Sequence, residues 1–373
     1  MSLGLTIALL IASGAYGLPQ IKVLMNSIVI PIRHRPAPTG DHAAGRLKLI
    51  VPSTPGHADG VISLEIWYPE PLGAPAATIA DVPPQLPLLL YAPGWGNRGT
   101  SNALLLADLA RAGYVVAAFD DIGTTPEASP DAAANFDLTS QLAMRVSLAL
   151  ANRRLVAMVE RATRSLDYLL ALDRLQPGHT LAKRLNADRV GMLGFSFGGA
   201  VAAEMSRRDP RIRAAVNFDG GLFGEAEQKG ARPPYLVVNS DFPNLEAATQ
   251  SLSAAKRNTA KLTLVDRQLQ YRQSCQMDFY ALFYDEIEHN DLTDELFAPS
   301  LLNYLKHWRR TDERRQQIYA SLRDYTLDFF GAYLKGSRPV SILDHDIPPY
   351  PFVHKFGSEQ MPRANSPCQG NQL

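Results

Sequence analysis

Short apolar segments alternate with longer amphipathic segments through most of the chain. The apolar runs are five or six residues long and lie between glycine, proline or polar residues, which is typical of strands in a parallel sheet. Between them, apolar residues recur every three or four positions, as on one face of a helix. The strands predicted in this way are 87–92, 114–119, 189–193, 214–218, 235–240 and 279–284, and the longest helices are 101–112, 138–175 and 311–335. The alternation predicts an α/β fold, with a mainly parallel central sheet and helices on both faces.

The regions that flank this alternation divide the chain further. Segments 47–51 and 61–68 are typical of two strands in an N-terminal β-hairpin. We expect one α/β domain over residues 21–338 and a proline-rich tail, predicted to be loop, over residues 339–373. Within the domain, residues 121–150 are a candidate lid, and the alternative is a surface helix that covers no site.

The first 20 residues form a candidate signal or anchor segment. The chain carries no charged side chain before Lys22, and residues 3–17 are apolar with small residues near their end, which resembles a secretory signal without its usual basic start. We therefore predict a secreted or periplasmic protein; the alternatives are a membrane anchor and a buried N-terminal segment. In an exported protein the two cysteines, Cys275 and Cys368, are able to pair.

Charge and composition narrow the classes of partner and cofactor. The chain carries 37 basic and 37 acidic residues, so it lacks the basic excess expected of a nucleic-acid-binding protein. Its cysteines are not spaced as metal ligands, and it has no glycine-rich phosphate loop. The sequence thus predicts no nucleic-acid partner, no metal and no cofactor, and it leaves the oligomeric state open.

The strongest chemical signal is the segment Gly194-Phe195-Ser196-Phe197-Gly198. It has the pattern G-x-S-x-G, follows the apolar strand 189–193 and opens a helix of small residues, 198–203. A nucleophile elbow needs this context, because a strained turn exposes the serine hydroxyl and small neighbours let the strand and helix backbones approach. We therefore predict that Ser196 is a nucleophile; the alternative is a structural serine in an ordinary turn.

A serine nucleophile needs a histidine base and an acid that orients the histidine. In α/β-hydrolases both follow the nucleophile in the chain, each at the end of a strand. Among the eight histidines, His289 fits this order, because it lies in a polar loop after strand 279–284. Two strand ends offer an acid, Asp219 and Asp241. Chain order alone does not decide between them.

The turn after strand 87–92 is the expected place of an oxyanion hole. Its sequence is Pro93-Gly94-Trp95-Gly96-Asn97, and the glycines let the backbone approach a substrate closely. We predict that the backbone N–H groups of Trp95 and of Phe197, the residue after the nucleophile, donate hydrogen bonds to the oxyanion. The alternative is an ordinary glycine-rich turn.

These motifs resemble those of the platelet-activating-factor acetylhydrolases, a family of serine esterases, and more distantly those of cutinases and dienelactone hydrolases. The resemblance covers residues 60–336. It rests on the elbow 194–200, on Phe218–Phe223 as the acid motif, on Glu288–Leu292 as the histidine loop and on the turn Gly94–Gly96. The family more often has histidine at the positions of Phe195 and Pro93.

The resemblance implies an α/β-hydrolase fold and a calcium-independent esterase for short or modified acyl chains. It also implies that Asp219 is the acid, because Asn239-Ser240-Asp241 is similar to a neighbouring segment whose acidic residue is not catalytic in that family. The predicted function is therefore hydrolysis of small-molecule or lipid esters, with transient contact to a lipid surface. The alternatives are a peptidase or acyltransferase with the same triad, and a non-catalytic binding protein of this fold.

Overall fold

A computed structural model describes residues 23–25, 27–29, 35–53, 60–71, 85–124, 136–241, 245–306, 310–337, 341–345 and 347–355. Within these ranges, one sheet of nine strands forms the centre of the molecule. The strands are β1 Ala43–Val51, β2 Ile62–Glu70, β3 Leu86–Ala92, β4 Val115–Phe119, β5 Leu185–Phe195, β6 Ile212–Phe218, β7 Tyr235–Asn239, β8 Phe279–Tyr284 and β9 Val353–Lys355.

Helices follow the strands of the parallel part, and the last two lie between β8 and β9. They are α1 Ala103–Arg111, α2 Gln141–Leu170, α3 Leu172–Leu175, α4 Phe197–Arg208, α5 Glu225–Lys229, α6 Leu245–Ala248, α7 Ala254–Gln273, α8 Leu301–Lys306 and α9 Asp312–Phe330. Helix α9 continues as a wider turn over Gly331–Lys335 and ends at Gly336, whose φ of 68° is left-handed. The three longest helices predicted from the apolar period are thus present.

The strand order explains how the turns of a site come together. The order across the sheet is β1-β2-β4-β3-β5-β6-β7-β8-β9. Strands β4, β3, β5, β6, β7 and β8 run parallel, while β1 and β2 form an antiparallel hairpin that joins β4, and β9 is antiparallel to β8. The predicted mainly parallel sheet and N-terminal hairpin are confirmed. All six parallel strands end at one edge, where α/β sheets bind their ligands.

Each parallel strand contributes to two apolar cores, one on each face of the sheet. On β3, Leu88 and Leu90 belong to the core that contains α2 and α4, whereas Leu89 and Tyr91 belong to the core that contains α1 and α9. All four side chains are fully buried. Successive residues of a strand point to opposite faces, so continuous apolar runs are required where both faces are covered.

The tail after residue 339 differs from the prediction that it is loop. Residues Val353–Lys355 pair with β8 as strand β9, and Leu343 and Phe352 are buried in the core beside α9. An uncovered edge of β8 would leave N–H and C=O groups without partners, and β9 provides them. A three-residue strand among prolines has no periodic pattern, which is why the sequence did not reveal it.

Helix α7 was also not predicted. Its buried side chains include Arg267, Gln270 and Gln273, and Gln270 Oε1 accepts a hydrogen bond of 3.1 Å from Asn239 Nδ2 at the end of β7. Polar residues on the buried face interrupt the apolar period from which a helix is predicted. The tertiary contacts with the sheet edge, rather than the local pattern, explain this helix.

Several predictions concern residues outside the described ranges. The candidate signal segment 1–20 and residues 125–135 of the candidate lid lie there, while residues 141–150 of that lid form the start of α2. The lid therefore stays a prediction. Among the described residues, no helix has the length and apolar character to cross a membrane. Cys275 is in a disulfide bond, and Cys368 lies outside the described ranges.

Phe352→Ala is expected to lower the free energy of unfolding by about 3–5 kcal/mol, the usual loss for truncation of a buried aromatic side chain. Phe352 is 4% exposed, and the Arg314 guanidinium lies 4.0 Å from its ring centroid. Urea unfolding followed by circular dichroism measures this loss. The control is Ile347→Ala in the same tail, since Ile347 is 83% exposed. If both variants lowered the free energy of unfolding by the same small amount, the tail would not be part of the core.

Candidate active site

Ser196 lies in the sharp turn between β5 and α4. Its φ of 54° and ψ of −121° fall in a region that residues other than glycine rarely adopt. Strand β6 supports the turn, because the Ser196 N–H donates a hydrogen bond of 2.8 Å to the Phe218 carbonyl oxygen. Ser196 is partly exposed, whereas Phe195 and Phe197 on either side are buried. The turn thus presents the serine at the edge of the sheet.

Three glycines make this turn possible. A Cβ atom at Gly194 would collide with the carbonyl group of Gly198, and one at Gly198 would collide with the carbonyl group of Ala92. A Cβ atom at Gly220 would collide with the Ser196 carbonyl oxygen. The backbones of the elbow, of β3 and of the loop after β6 are therefore in direct contact, and only glycine fits at these positions.

His289 and Asp219 meet at the same edge of the sheet. Asp219 directly follows β6, and His289 begins a single helical turn, His289–Leu292, in the loop after β8. The His289 Nδ1 atom lies 2.6 Å from Asp219 Oδ2. The imidazole also lies against the ring of Phe195, with 4.7 Å between the ring centroids. The residue that precedes Ser196 therefore borders the histidine.

Two further hydrogen bonds stabilise the Asp219 carboxylate. Ser240 donates both its backbone N–H, to Oδ1 at 2.9 Å, and its hydroxyl, to Oδ2 at 2.5 Å. Burial by itself would raise the pKa of Asp219, but the hydrogen bond and charge of His289 and the bonds from Ser240 lower that pKa below its usual range. An ionised Asp219 accepts a hydrogen bond from the Nδ1–H group of a neutral His289. The other ring nitrogen, Nε2, then carries no hydrogen and is able to take a proton.

Ser240 is not among the site residues predicted from the sequence. The only local signal was its position at the end of β7, next to the acid candidate Asp241. A serine after a strand is common and indicates no role until the neighbouring strand end is known. The pairing of β6 with β7 supplies that information, because it brings Ser240 beside Asp219.

Asp241, the other acid candidate, binds the backbone of the histidine loop. Its Oδ2 atom accepts a hydrogen bond of 3.2 Å from the Glu286 N–H, and its own N–H donates to the Ile287 carbonyl at 2.8 Å. Glu286 has a φ of 59°, so the carboxylate supports a strained residue of the loop. Of the two candidates, the structure brings Asp219 to the imidazole.

One hydrogen bond inside the histidine loop and contacts from two other segments hold this loop in place. Asp291 accepts the Glu288 N–H at 2.7 Å and pairs with Arg310 at 2.6 Å. Asn102, just before α1, donates to the Leu292 carbonyl at 2.8 Å. The position predicted for a catalytic base is therefore held at a defined orientation, which such a role requires.

The turn after β3 lies beside the elbow. The Asn97 N–H donates to the Gly94 carbonyl at 3.0 Å and closes a four-residue turn, in which Gly96 has the φ of 70° that the third position of a type II turn requires. The Trp95 ring meets the Phe197 ring edge-on, with centroids 5.0 Å apart. The two residues predicted as oxyanion donors are therefore neighbours in space.

Further aromatic rings extend this contact into a row. The Phe136 ring lies 5.6 Å from the Trp95 ring, and the Phe223 ring lies 5.7 Å from that of Phe197, between centroids. The four rings therefore form a continuous apolar row beside the elbow. Within the described ranges, no three His, Cys, Asp or Glu side chains form a group suited to a metal ion.

Comparison with known proteins agrees with this architecture. Residues 138–293 match the family described as platelet-activating factor acetylhydrolase, isoform II, and this range contains Ser196, Asp219 and His289. A ferulic acid esterase from Streptomyces cinnamoneus has the same fold, with a TM-score of 0.59 over 86% of this chain and 98% of that chain, at 21% identity. The protein is thus an α/β-hydrolase in fold.

Within that class, the resemblance is to the platelet-activating factor acetylhydrolases. A stretch of 42 residues, 11% of either chain, is 52% identical to a probable 1-alkyl-2-acetylglycerophosphocholine esterase of Arthroderma benhamiae. A stretch of 177 residues is 23% identical to the platelet-activating factor acetylhydrolase of Bos taurus, over 42% of this chain and 40% of that one. The chain matches less than half the length of either relative. The resemblance predicted from the motifs is confirmed.

Asp266 is expected to make the stability of the protein vary with pH. It is a partly buried residue of α7 beside the loop after Asp219. Burial raises the pKa of this carboxyl to about 7, although the Leu222 N–H donates to it. The folded protein therefore holds a proton on Asp266 that the unfolded chain has released, and the contribution of Asp266 to the free energy of unfolding falls by roughly 1 kcal/mol per pH unit between about pH 4 and pH 7.

Asp266→Asn keeps the shape of the side chain and cannot ionise, so it is expected to flatten this fall and to stabilise the protein more at pH 8 than at pH 4.5. Urea unfolding at both pH values measures the difference. Asp188→Asn, at an exposed carboxyl, is the control and should leave the slope unchanged. A slope in Asp266→Asn as steep as in the parent would rule out this origin.

Proposed function

We propose that this protein hydrolyses carboxylic esters with Ser196 as nucleophile, His289 as base and Asp219 as acid. The observation that carries the proposal is the 2.6 Å contact between His289 Nδ1 and Asp219 Oδ2, beside a serine in a strained strand-to-helix turn. A serine hydroxyl needs such an oriented imidazole to become nucleophilic. The names of the relatives, an esterase and an acetylhydrolase, support the same reaction.

In the proposed first half of the reaction, His289 Nε2 takes the proton of Ser196 Oγ while this oxygen attacks the ester carbonyl carbon. The negative oxygen of the tetrahedral intermediate accepts hydrogen bonds from the backbone N–H groups of Trp95 and Phe197. The bond to the alcohol oxygen then breaks, the alcohol leaves with the proton from His289, and the acyl group stays on Ser196. The ionised Asp219 stabilises the imidazolium formed during this step.

Water completes the proposed reaction. His289 removes a proton from a water molecule as the water oxygen attacks the acyl carbonyl carbon of the acyl-enzyme. The second tetrahedral intermediate releases the carboxylic acid, and His289 returns the proton to Ser196 Oγ. One ester and one water are consumed, and one alcohol and one acid are formed.

For the substrate, we propose esters with a short or modified acyl chain, including those of lipids. The names of both relatives refer to acetyl esters, and the aromatic row beside Trp95 supplies an apolar wall at the proposed oxyanion side. A series of p-nitrophenyl esters from acetate to palmitate, compared by kcat/KM, tests this proposal. The largest kcat/KM is expected for the shortest chains.

The proposal also includes secretion and transient contact with a lipid surface. Leu142 and Val146, one turn apart on α2, are 74% and 58% exposed, and Leu252 is fully exposed. Exposed apolar side chains of this kind support contact with an acyl-chain boundary. Secretion or export to the periplasm depends on residues 1–20, which lie outside the described ranges.

Ser196→Ala is expected to lower kcat for p-nitrophenyl acetate by about 10⁶-fold, since loss of a triad nucleophile removes nearly all turnover. The same variant should no longer react with a fluorophosphonate probe, while the parent is labelled. Ser274→Ala, whose hydroxyl in the parent donates to the Tyr271 carbonyl at the end of α7, is the control. A kcat in Ser196→Ala within tenfold of the parent would refute the serine-hydrolase proposal.

Asp219→Asn is expected to lower kcat by about 10⁴-fold, because an amide at the acid position stabilises the wrong imidazole tautomer. Asp241→Asn should lower kcat far less, since Asp241 supports the loop backbone rather than the imidazole. Steady-state kinetics of both variants, with melting temperatures to check folding, makes the comparison. The opposite ranking, with Asp241→Asn the more damaging, would assign the acid to Asp241.

A further inference from the structure

We propose that a buried ion pair, Asp121 with Arg154, positions the turn that carries the oxyanion donor Trp95. The inference rests on the proposed function, because it adds a positioning role to the reaction proposed above. Asp121 lies just after β4, and Arg154 lies in the middle of α2. Neither residue belongs to a motif from which the function was predicted.

The pair is completely enclosed by protein. Asp121 is 0% exposed and Arg154 is 2% exposed. The Arg154 Nε atom donates to Asp121 Oδ1 at 3.1 Å, and its Nη2 atom contacts Oδ2, so the guanidinium binds the carboxylate with two parallel donors. Bidentate pairs of this kind restrict the orientation of both groups more strongly than a single hydrogen bond does.

Asp121 binds the backbone of the oxyanion turn directly. Its Oδ2 atom accepts the Gly96 N–H at 2.7 Å and, more weakly, the Gly123 N–H at 3.3 Å. Its own N–H donates to the Asn97 carbonyl at 3.1 Å. The end of β4 therefore contacts two consecutive residues of the turn after β3.

Arg154 contacts the same turn through the Trp95 side chain. The guanidinium carbon lies 4.3 Å from the centroid of the Trp95 ring, a distance at which a cation is attracted to the face of an indole. Another contact of that ring is with Phe197, the residue after Ser196. Trp95 is thus held between the cation and the start of the elbow helix.

These contacts determine where the Trp95 N–H points. The Gly94 carbonyl accepts the Asn97 N–H inside the turn, and in a trans peptide the N–H points opposite to the carbonyl. The Trp95 N–H therefore points out of the turn. If the turn rotates, the direction of this N–H changes with it. Asp121 holds the turn at Gly96, and Arg154 holds it at Trp95. The ion pair therefore restrains two consecutive residues of the turn.

Stability alone does not explain a pair at this place. A buried ion pair usually stabilises a fold no better than apolar side chains of the same size, because both charges lose their hydration. A misplaced oxyanion donor, by contrast, costs about 10²–10³-fold in kcat. Arg154 is accordingly a positioning residue, which acts through Asp121 and Trp95.

Three variants separate positioning from stability: Arg154→Met, Asp121→Asn and the double variant. Arg154→Met leaves the Asp121 charge buried without its cation, so we expect a lower melting temperature and a kcat reduced about 10²-fold with KM within about threefold of the parent. The double variant has no buried charge at this place, so its melting temperature should recover while its kcat stays low. A kcat that recovers together with the melting temperature would overturn the proposal.

A trifluoromethyl ketone provides a second measurement, because its adduct with the serine places a negative oxygen in the oxyanion hole. Its Ki should rise across the variants by the same factor by which kcat/KM falls. If Arg154→Met does not fold, Arg154→Lys keeps the charge and loses the planar fork. A folded Arg154→Lys variant should have a kcat about tenfold lower than that of the parent. A kcat and a Ki equal to those of the parent would refute the positioning role.

Asp108→Asn is the matched control. Asp108 is 2% exposed, and its carboxylate accepts Arg111 Nη1 at 2.8 Å and the Tyr319 hydroxyl at 2.7 Å, on the α1 and α9 side of the sheet. This variant should lose stability while kcat stays unchanged. A parent enzyme without Ser196-dependent ester hydrolysis would refute the proposed function and this role together, whereas an active parent with parent-like Arg154 variants refutes the positioning role alone.

Discussion

The hydrogen-bond ladder of the parallel strands continues one residue beyond the ends of β5 and β6, and the candidate site depends on this continuation. The Ser196 N–H reaches the Phe218 carbonyl and the Asp219 N–H reaches the Val238 carbonyl, each at 2.8 Å. Ser196 and Asp219 then leave their strands with φ of 54° and 55°. Neighbouring parallel strands end at one level, so this register places the two residues side by side without a direct bond between their side chains.

Partly buried carboxylates around this edge differ in charge because they differ in partners. Asp219 accepts three hydrogen bonds, from His289 and from Ser240, and its pKa is lowered despite burial. Asp266 accepts a backbone N–H, but burial and the negative charge of Glu227 raise its pKa to about 7. Desolvation alone favours the neutral acid, and only several donors or a cation reverse this preference. The proposed acid is therefore charged at neutral pH, as orientation of a catalytic imidazole requires.

The elements that the sequence predicted well are those with a local cause. Continuous apolar runs predicted β3 to β8, because strands covered on both faces need apolar residues at every position. The glycines around Ser196 predicted the elbow, because a Cβ atom has no room there. Chain order likewise pointed to His289 and left Asp219 and Asp241 open, until the resemblance to the acetylhydrolases favoured Asp219. Their catalytic roles are proposals, which the geometry supports.

Contacts between distant parts of the chain were not readable from the sequence. Strand β9 forms because the edge of β8 needs partners, and α7 forms with polar residues on its buried face. Ser240 meets Asp219 only after the strands have paired. The same holds for Arg154, which then reaches both Asp121 and the distant Trp95 ring. The sequence by itself determined the strands, the elbow and the order of the candidate residues, since each follows from steric and apolar requirements within a few residues. The tertiary structure decided which acid contacts the imidazole and what holds the turn of Trp95, because those contacts depend on the register and order of strands far apart in the chain.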